Sequence, residues 1–168
     1  LSEGSLFRTE SLYSLTNIYE TEGEWEKCIN CSKILAKVTK KSFDLHISHY
    51  LCELADLTLA NGNVTKSIEF INTAKKLKTL TLRADLVEAK CEILRKNHIS
   101  AMKIYKNIIQ TSTYLITEAL PELVSLHKQL GNLEEFDKFI EQITMSNKKL
   151  SRDIGYTVII NNINDVPS

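Results

Sequence analysis

LPELVSLHKQLGNLEEFDKFIEQI, residues 120–143, has its apolar residues at intervals of three and four on both sides of a single Gly-Asn pair. Such intervals put the apolar side chains on one face of a helix. Gly131 and Asn132 interrupt the pattern, and both residue types are common in turns. The stretch therefore predicts two helices joined by a tight turn, which is a helical hairpin.

Three more segments show the same layout, with an apolar helical stripe, a short polar break and a second stripe. The breaks fall at Gly23, Gly62, Lys96 and Gly131, so the intervals between them are 39, 34 and 35 residues. A period near 34 residues is typical of the tetratricopeptide repeat, in which stacked hairpins bury one another's apolar faces. We predict an all-α fold, a tetratricopeptide-like superhelix of about four helical hairpins followed by a C-terminal extra segment.

The predicted repeat domain covers residues 1–147, with hairpins expected at about residues 6–39, 43–78, 80–111 and 113–146. Residues 148–168 are expected to start a fifth repeat, to form a capping helix or to be a β-prone tail, because the end of a helical stack needs a cover. Pro121 lies inside the first predicted helix of the last hairpin. Its missing backbone donor predicts a kink or a late helix start there.

The residue types at two equivalent positions support this register. Five residues after each break the second helix must approach the first closely, and the residue is small in three of four hairpins: Cys28, Ser67, Ala101 and Phe136. Eight residues before each break a large apolar residue is expected, and three of four comply: Leu15, Leu54, Glu88 and Leu123. The hairpin around Lys96, which has a charged residue at the second position and no glycine at its break, fits the pattern least.

Composition excludes several classes of protein. With 43% hydrophobic residues the chain has enough apolar surface for a core, and its 21 basic residues equal its 21 acidic ones. We therefore expect no nucleic-acid partner and, since no apolar run is long enough, no membrane span.

The middle of the chain is basic: residues 64–110 contain ten basic and four acidic residues. This excess of positive charge could bind an acidic partner segment or anionic lipid. The alternative is that the lysines are solvated on exposed helix faces. Four cysteines without a disulfide pattern favour a reducing, cytoplasmic location.

Motifs for catalysis are absent from the sequence. It contains no Gly-rich phosphate loop and no Gly-x-Ser-x-Gly elbow, so we predict neither an enzyme nor a bound cofactor. Cys28, Cys31, His46 and His49 form a possible zinc set. The alternative is that the cysteines pack in a repeat helix as small apolar residues, and we favour it because zinc ligands usually come from turns. We therefore predict no metal site.

Stacked hairpins present their first helices along an extended concave surface, which suits the capture of a peptide or protein. The repeat register predicts the residues of this partner-binding groove: Tyr13, Asn17, His49, Asp56, Arg83, Lys90, Ser125 and Lys128. The end faces of such stacks also associate readily, so a homo-oligomer is a further expectation.

Several runs of residues resemble one particular family. They are Asn17-Ile18-Tyr19 with Glu24-Trp25-Glu26-Lys27, residues 47–55 (ISHYLCELA), and residues 118–123 (EALPEL) with Gln129-Leu130-Gly131-Asn132. Together they resemble the lipopolysaccharide assembly protein B family over about residues 10–145. The tryptophan at the turn and the His-Tyr-x-Cys-Glu-Leu-Ala helix are not part of the general repeat consensus, so this likeness is more specific than the repeat pattern.

The resemblance implies a bacterial adaptor at the cytoplasmic face of the inner membrane. In that family the repeat domain helps to deliver the lipid A precursor deacetylase to a membrane-bound ATP-dependent protease, which restrains lipopolysaccharide synthesis. Family members have also been labelled predicted N-acetylglucosaminyl transferases. The family's membrane anchor and rubredoxin-like metal domain have no counterpart in these residues, so we expect an internal fragment. A generic tetratricopeptide assembly or co-chaperone module is the alternative.

Overall fold

The computed structural model describes residues 3–77 and 82–146, together with Arg152, Ile154 and Gly155. Within these residues the chain is helical and contains no strand, so the predicted all-α class is confirmed. The described helices are α1 (Glu3–Glu22), α2 (Trp25–Thr39), α3 (Asp44–Ala60), α4 (Val64–Lys76), α5 (Leu82–Leu94), α6 (His98–Thr111), α7 (Ile116–Leu130) and α8 (Leu133–Ser146). Short turns separate the two helices of each successive pair, as the hairpin pattern predicted.

The four predicted breaks adopt one backbone conformation. Gly23, Gly62 and Gly131 have φ values of +70°, +79° and +66°, and Lys96 has +63°. At each turn this residue's N–H binds the carbonyl three residues back, and the next N–H binds the carbonyl five residues back. This pair of hydrogen bonds is the Schellman motif, which ends a helix with a left-handed residue and usually employs glycine. Lys96 therefore occupies a true turn position although its side chain is unfavourable there.

The chain divides into two compact units, residues 1–91 and 92–168. In the first unit α1 packs mainly against α2, and α3 packs between α2 and α4. Its core is built largely from α3, with smaller contributions from α2, α4 and α5: Cys28, Ile29, Tyr50, Leu51, Cys52, Leu54, Ala55, Leu59, Ile71, Ala74, Ala84, Val87 and Cys91. Leu54 is thus buried, whereas the equivalent Leu15 of α1 is 39% exposed because α1 has fewer neighbours.

Small residues permit close approach of the paired helices, as the register predicted. The Ser67 hydroxyl of α4 donates to the Ala55 carbonyl of α3 at 2.8 Å. At the equivalent position of the first hairpin, Cys28 Sγ lies 3.9 Å from the Thr16 carbonyl oxygen. Both pairs are twelve residues apart in sequence, so the same contact recurs in successive hairpins.

In the second unit α7 packs against α6 and α8. Pro121 is the sixth residue of α7, and the helix runs from Ile116 to Leu130 without interruption. Phe136, the large residue at the small position, is buried and its ring centroid lies 5.6 Å from that of His127. Of residues 148–168, the described ones are helical and Ile154 is buried. Otherwise the predictions for that segment lie outside the described residues.

Within residues 3–77 and 82–146 no helix combines the length and the apolar character needed to cross a membrane.

Candidate protein-binding surface

A strip of polar side chains runs along α3 on the face opposite the core of the first unit. His46, His49, Glu53 and Asp56 follow one another at intervals of three, four and three residues, which places them on one side of the helix. His46 and His49 are exposed, and Glu53 and Asp56 are half-buried. We call these four residues the α3 strip.

On one flank of the α3 strip, α5 contributes two cations. Lys90 Nζ donates to Asp56 Oδ1 at 2.9 Å. Arg83 Nη2 lies 3.6 Å from Asp56 Oδ2, and Arg83 Nε lies 3.6 Å from Glu53 Oε1, distances of ion pairs rather than hydrogen bonds. His49 Nδ1 is 4.0 Å from the same Glu53 oxygen. Two carboxylates and two cations therefore form a charge-balanced network across α3 and α5.

The spacing within α5 explains how the network forms. Arg83 and Lys90 are seven residues apart, so they lie on the same face two turns from each other. Behind this face, Lys75 of α4 contacts Asp85 Oδ1 and Glu88 Oε2, each at 2.6 Å. Burial alone would lower the pKa of Lys75, but hydrogen bonds to the two carboxylates outweigh it and the pKa is raised. The lysine therefore stays charged and holds α5 against α4.

On the other flank of the α3 strip lies an aromatic group. The ring centroids of Tyr13 and Phe43 are 6.2 Å apart, and those of Phe43 and His46 are 5.5 Å apart. Tyr13 is 44% exposed, whereas Phe43 is buried beneath it. Asn17 lies one turn further along α1 and is exposed. This flank thus offers an amphipathic ring and an imidazole to a visiting chain.

The tryptophan at the first turn supports the α3 strip from beneath. The Trp25 ring stacks on that of Tyr50 with centroids 6.2 Å apart, and its edge faces His49 at 6.4 Å. The Tyr50 hydroxyl donates to a Glu20 carboxylate oxygen. Burial and this carboxylate raise the pKa of Tyr50, so the hydroxyl remains a donor. The ring of His49 is therefore held in place by its neighbours on two helices.

The structure thus brings together four of the eight predicted groove residues, His49, Asp56, Arg83 and Lys90, in one network. Tyr13 joins the same surface through Phe43. Asn17 on α1, and Ser125 and Lys128 on α7 in the second unit, are exposed side chains. Whether these eight residues bind a partner stays a prediction.

Three residues of this surface are absent from the predicted groove. Glu53 is an ion-pair partner of Arg83, and its spacing of four residues from His49 is a signal that could have found it. Phe43 precedes α3, so a register based on the helices could not select it. His46 lies in the first turn of α3, three residues before His49, and this spacing is a signal that could have found it.

The cysteines and histidines of the possible zinc set differ in exposure. Cys28 and Cys31 are buried in α2, whereas His46 and His49 are exposed on α3. In the described part of the chain no three ligating side chains lie close enough to share a metal ion. Burial raises the pKa of the Cys28 thiol, and burial, with the nearby Glu53 carboxylate, raises the pKa of Cys52 to about 11. Neutral thiols are poor nucleophiles.

Comparisons with known proteins agree on one name. The chain is similar to lipopolysaccharide assembly protein B of Escherichia coli strain K12, with 23% identity over 160 residues, which are 95% of this chain and 41% of that protein. The protein of the same name from Haemophilus influenzae strain Rd is 24% identical over 134 residues, 80% of this chain and 34% of that protein. No protein-family model matches the chain. The chain spans 34–41% of the length of these curated relatives, and the similarity covers 80–95% of its own residues.

Proposed function

We propose that the chain is a non-catalytic scaffold that binds a protein partner and takes part in regulating lipopolysaccharide synthesis. The observation that carries the proposal is the α3 strip with its two flanks, an exposed polar and aromatic surface on a rigid helical frame. Its residues include the tyrosine and arginine types that dominate binding energy at protein interfaces. The similarity to proteins named lipopolysaccharide assembly protein B supports the biological setting.

The architecture proposed for this scaffold is a stack of four tetratricopeptide repeats at about residues 6–39, 43–78, 80–111 and 113–146. The recurring Schellman turns support these boundaries, because each lies between the two helices of one proposed repeat. The recurring contact between Cys28 and Thr16, and between Ser67 and Ala55, supports the equivalence of the first two.

In its finer form, the proposal is that the scaffold couples the lipid A precursor deacetylase to a membrane-bound ATP-dependent protease at the cytoplasmic face of the bacterial inner membrane. A charge-balanced network suits a partner with side chains of both signs better than a purely acidic or basic ligand. A partner with side chains of both signs can exchange ion pairs with Asp56 and Arg83 while an apolar residue contacts Tyr13.

Binding of the purified deacetylase to the chain tests this proposal, with fluorescence anisotropy as the measurement. We expect Tyr13→Ala and His49→Ala each to weaken binding by about tenfold, the effect of losing roughly 1.4 kcal/mol of contact energy. Both side chains are exposed, so neither substitution should impair folding. Tyr114→Ala is the matched control, since Tyr114 is 69% exposed and lies in the second unit.

A generic assembly or co-chaperone module with another client is the second candidate function. It predicts that the deacetylase does not bind, and that outcome would remove the lipid A assignment. A transferase is the third alternative, and turnover of sugar nucleotides by the purified chain would contradict the scaffold proposal. If the wild type and the Tyr13 and His49 variants bind the deacetylase equally well, the binding site lies on another surface of the chain.

A further inference from the structure

A second surface lies within residues 92–168, away from the α3 strip in sequence. A groove of about 830 Å³ runs between α6 and α8 and is bounded at one side by the end of α7. Its volume falls within the range of pockets that bind ligands, roughly 300–1,000 Å³. Its lining includes apolar and basic side chains: Ile99, Met102, Lys103, Lys106, Leu130 and Phe139.

The apolar part of this groove has a buried floor and exposed walls. Met102 and Phe139 are 7% and 8% exposed, whereas Ile99 is 83% and Leu130 45% exposed. Ile99 and Leu130 also line a neighbouring depression beside the turn between α5 and α6. They therefore form an apolar ridge shared by two concave surfaces. Exposed apolar side chains beside a groove are candidates for contact with a partner.

The rim of the groove is basic on the α6 side. Helix α6 contains no acidic residue. Lys103 and Lys106 lie one turn apart, and Asn107 and Gln110 continue the same edge with amide donors. Lys106 Nζ donates to Glu135 Oε1 at 2.7 Å and lies 5.4 Å from the centroid of the Phe139 ring. These contacts hold one ammonium group over the apolar floor, and Lys103 adds an exposed positive charge beside it.

We propose that this groove docks an acidic amphipathic helix of a protein partner. Apolar side chains of that helix enter the groove between Ile99 and Leu130 and reach Met102 and Phe139, while its carboxylates contact Lys103. Binding of a helix in an apolar groove is a common recognition mode, and a methionine floor adapts to different side chains. The exposed ammonium group of Lys103 on the α6 edge then favours a helix that turns carboxylates toward α6 over a basic helix.

The shape of the surface favours a helix over a lipid membrane. A planar membrane would meet the exposed ridge but would not reach the buried floor formed by Met102 and Phe139. A side chain projecting from a helix can enter a concave surface of this volume. The proposal is independent of the deacetylase, because none of its residues belongs to the α3 strip or its flanks.

A labelled helical peptide tests the proposal, with fluorescence anisotropy against the whole chain. The peptide carries Leu at positions i, i+3, i+4 and i+7 and Glu on both sides of that stripe, and a matched peptide carries Lys in place of Glu. We expect the acidic peptide to bind about tenfold more tightly than the basic one. Lys103→Glu should weaken the acidic peptide about tenfold and strengthen the basic one, a charge-reversal rescue that loss of folding cannot produce.

A second variant tests the apolar ridge. Ile99→Ser should weaken the acidic peptide about tenfold, and because Ile99 is exposed the circular dichroism spectrum should not change. Lys76→Glu, on an exposed lysine of α4 in the first unit, makes the same charge change and should alter binding less than about twofold. Equal affinity for the two peptides would overturn the proposal. So would binding to anionic phospholipid vesicles that Lys103→Glu and Ile99→Ser abolish while peptide binding is unaffected.

Discussion

The α3–α4 and α7–α8 hairpins share a Gly-Asn turn and the same turn hydrogen bonds, yet different contacts hold their helices together. In the first hairpin, small Ser67 lets the helices approach and donates to the Ala55 carbonyl at 2.8 Å. In the second, Phe136 takes the equivalent position and packs against the ring of buried His127. The repeat geometry therefore requires a filled contact at this point and not one particular residue.

The two turn asparagines differ in the same way. Asn63 Oδ1 accepts the backbone N–H of Lys66 at 3.0 Å and so caps α4. Asn132 Oδ1 lies 2.9 Å from His127 Nδ1, and Asn132 Nδ2 donates to Glu135 at 3.4 Å. The backbone oxygen of Asn132 is also near His127 Nδ1, and since both neighbours are acceptors this nitrogen must carry a proton. One dipeptide thus caps a helix in one hairpin and ties two helices together in the other.

The two hairpins should differ most in the free energy of unfolding that is lost when the side chain at this contact is replaced by alanine. Phe136→Ala removes a buried ring and should lower the free energy of unfolding by about 3 kcal/mol. Ser67→Ala loses one hydrogen bond in an otherwise close contact and should cost about 1 kcal/mol. Urea denaturation of both variants measures the difference. Met145→Ala, at a highly exposed position of α8, is the control with little effect. Equal costs for Phe136→Ala and Ser67→Ala would contradict this account.

Replacing Asn63 or Asn132 by alanine should have a smaller effect on stability, and the two substitutions should speed hydrogen exchange in different helices. Asn63→Ala removes the cap of α4 and should cost about 1 kcal/mol, with faster hydrogen exchange confined to the first turn of that helix. Asn72→Ala, an exposed site inside the same helix, should not destabilise it because alanine favours helix. Asn132→Ala should instead speed exchange in both α7 and α8. Exchange limited to the start of α8 would mean that Asn132 is only a cap.

The smallest effect, and one of opposite sign, concerns the turn at Lys96. Lys96 has the φ of a glycine position, where a side chain costs about 1–2 kcal/mol, so Lys96→Gly should stabilise the fold. The extra freedom of glycine in the unfolded chain reduces the gain to about 0.5–1 kcal/mol. Gly62→Ala, the converse change, should destabilise by about 1 kcal/mol although nothing crowds its Cβ. Thermal denaturation measures both. A destabilised Lys96→Gly variant would show that the lysine side chain contributes contacts that outweigh its backbone strain.

The sequence predicted the helical class and the four turns, because apolar periodicity and turn residues are local features. It identified Lys96 as a turn residue from the polar break between two apolar stripes and from the repeat spacing, without a glycine to mark it. It also selected His49, Asp56, Arg83 and Lys90, which meet in one network. It omitted Phe43, which lies just before α3 and supports Tyr13. Nothing in the local pattern of residues 40–44 indicates that their aromatic ring packs against α1.

The contacts between side chains on different helices could not be predicted from the sequence. Asp56 and Lys90 are 34 residues apart, and their 2.9 Å contact depends on the rotation of α3 and α5 about their axes. The groove between α6 and α8 likewise depends on how those helices pack around α7.

The positions of the four turns followed from residue order, because backbone hydrogen bonds and φ preferences act over a few residues. Which charges and rings meet, and which apolar residues stay exposed, followed from packing. Those contacts join residues distant in sequence, and a small rotation of a helix changes all of them at once.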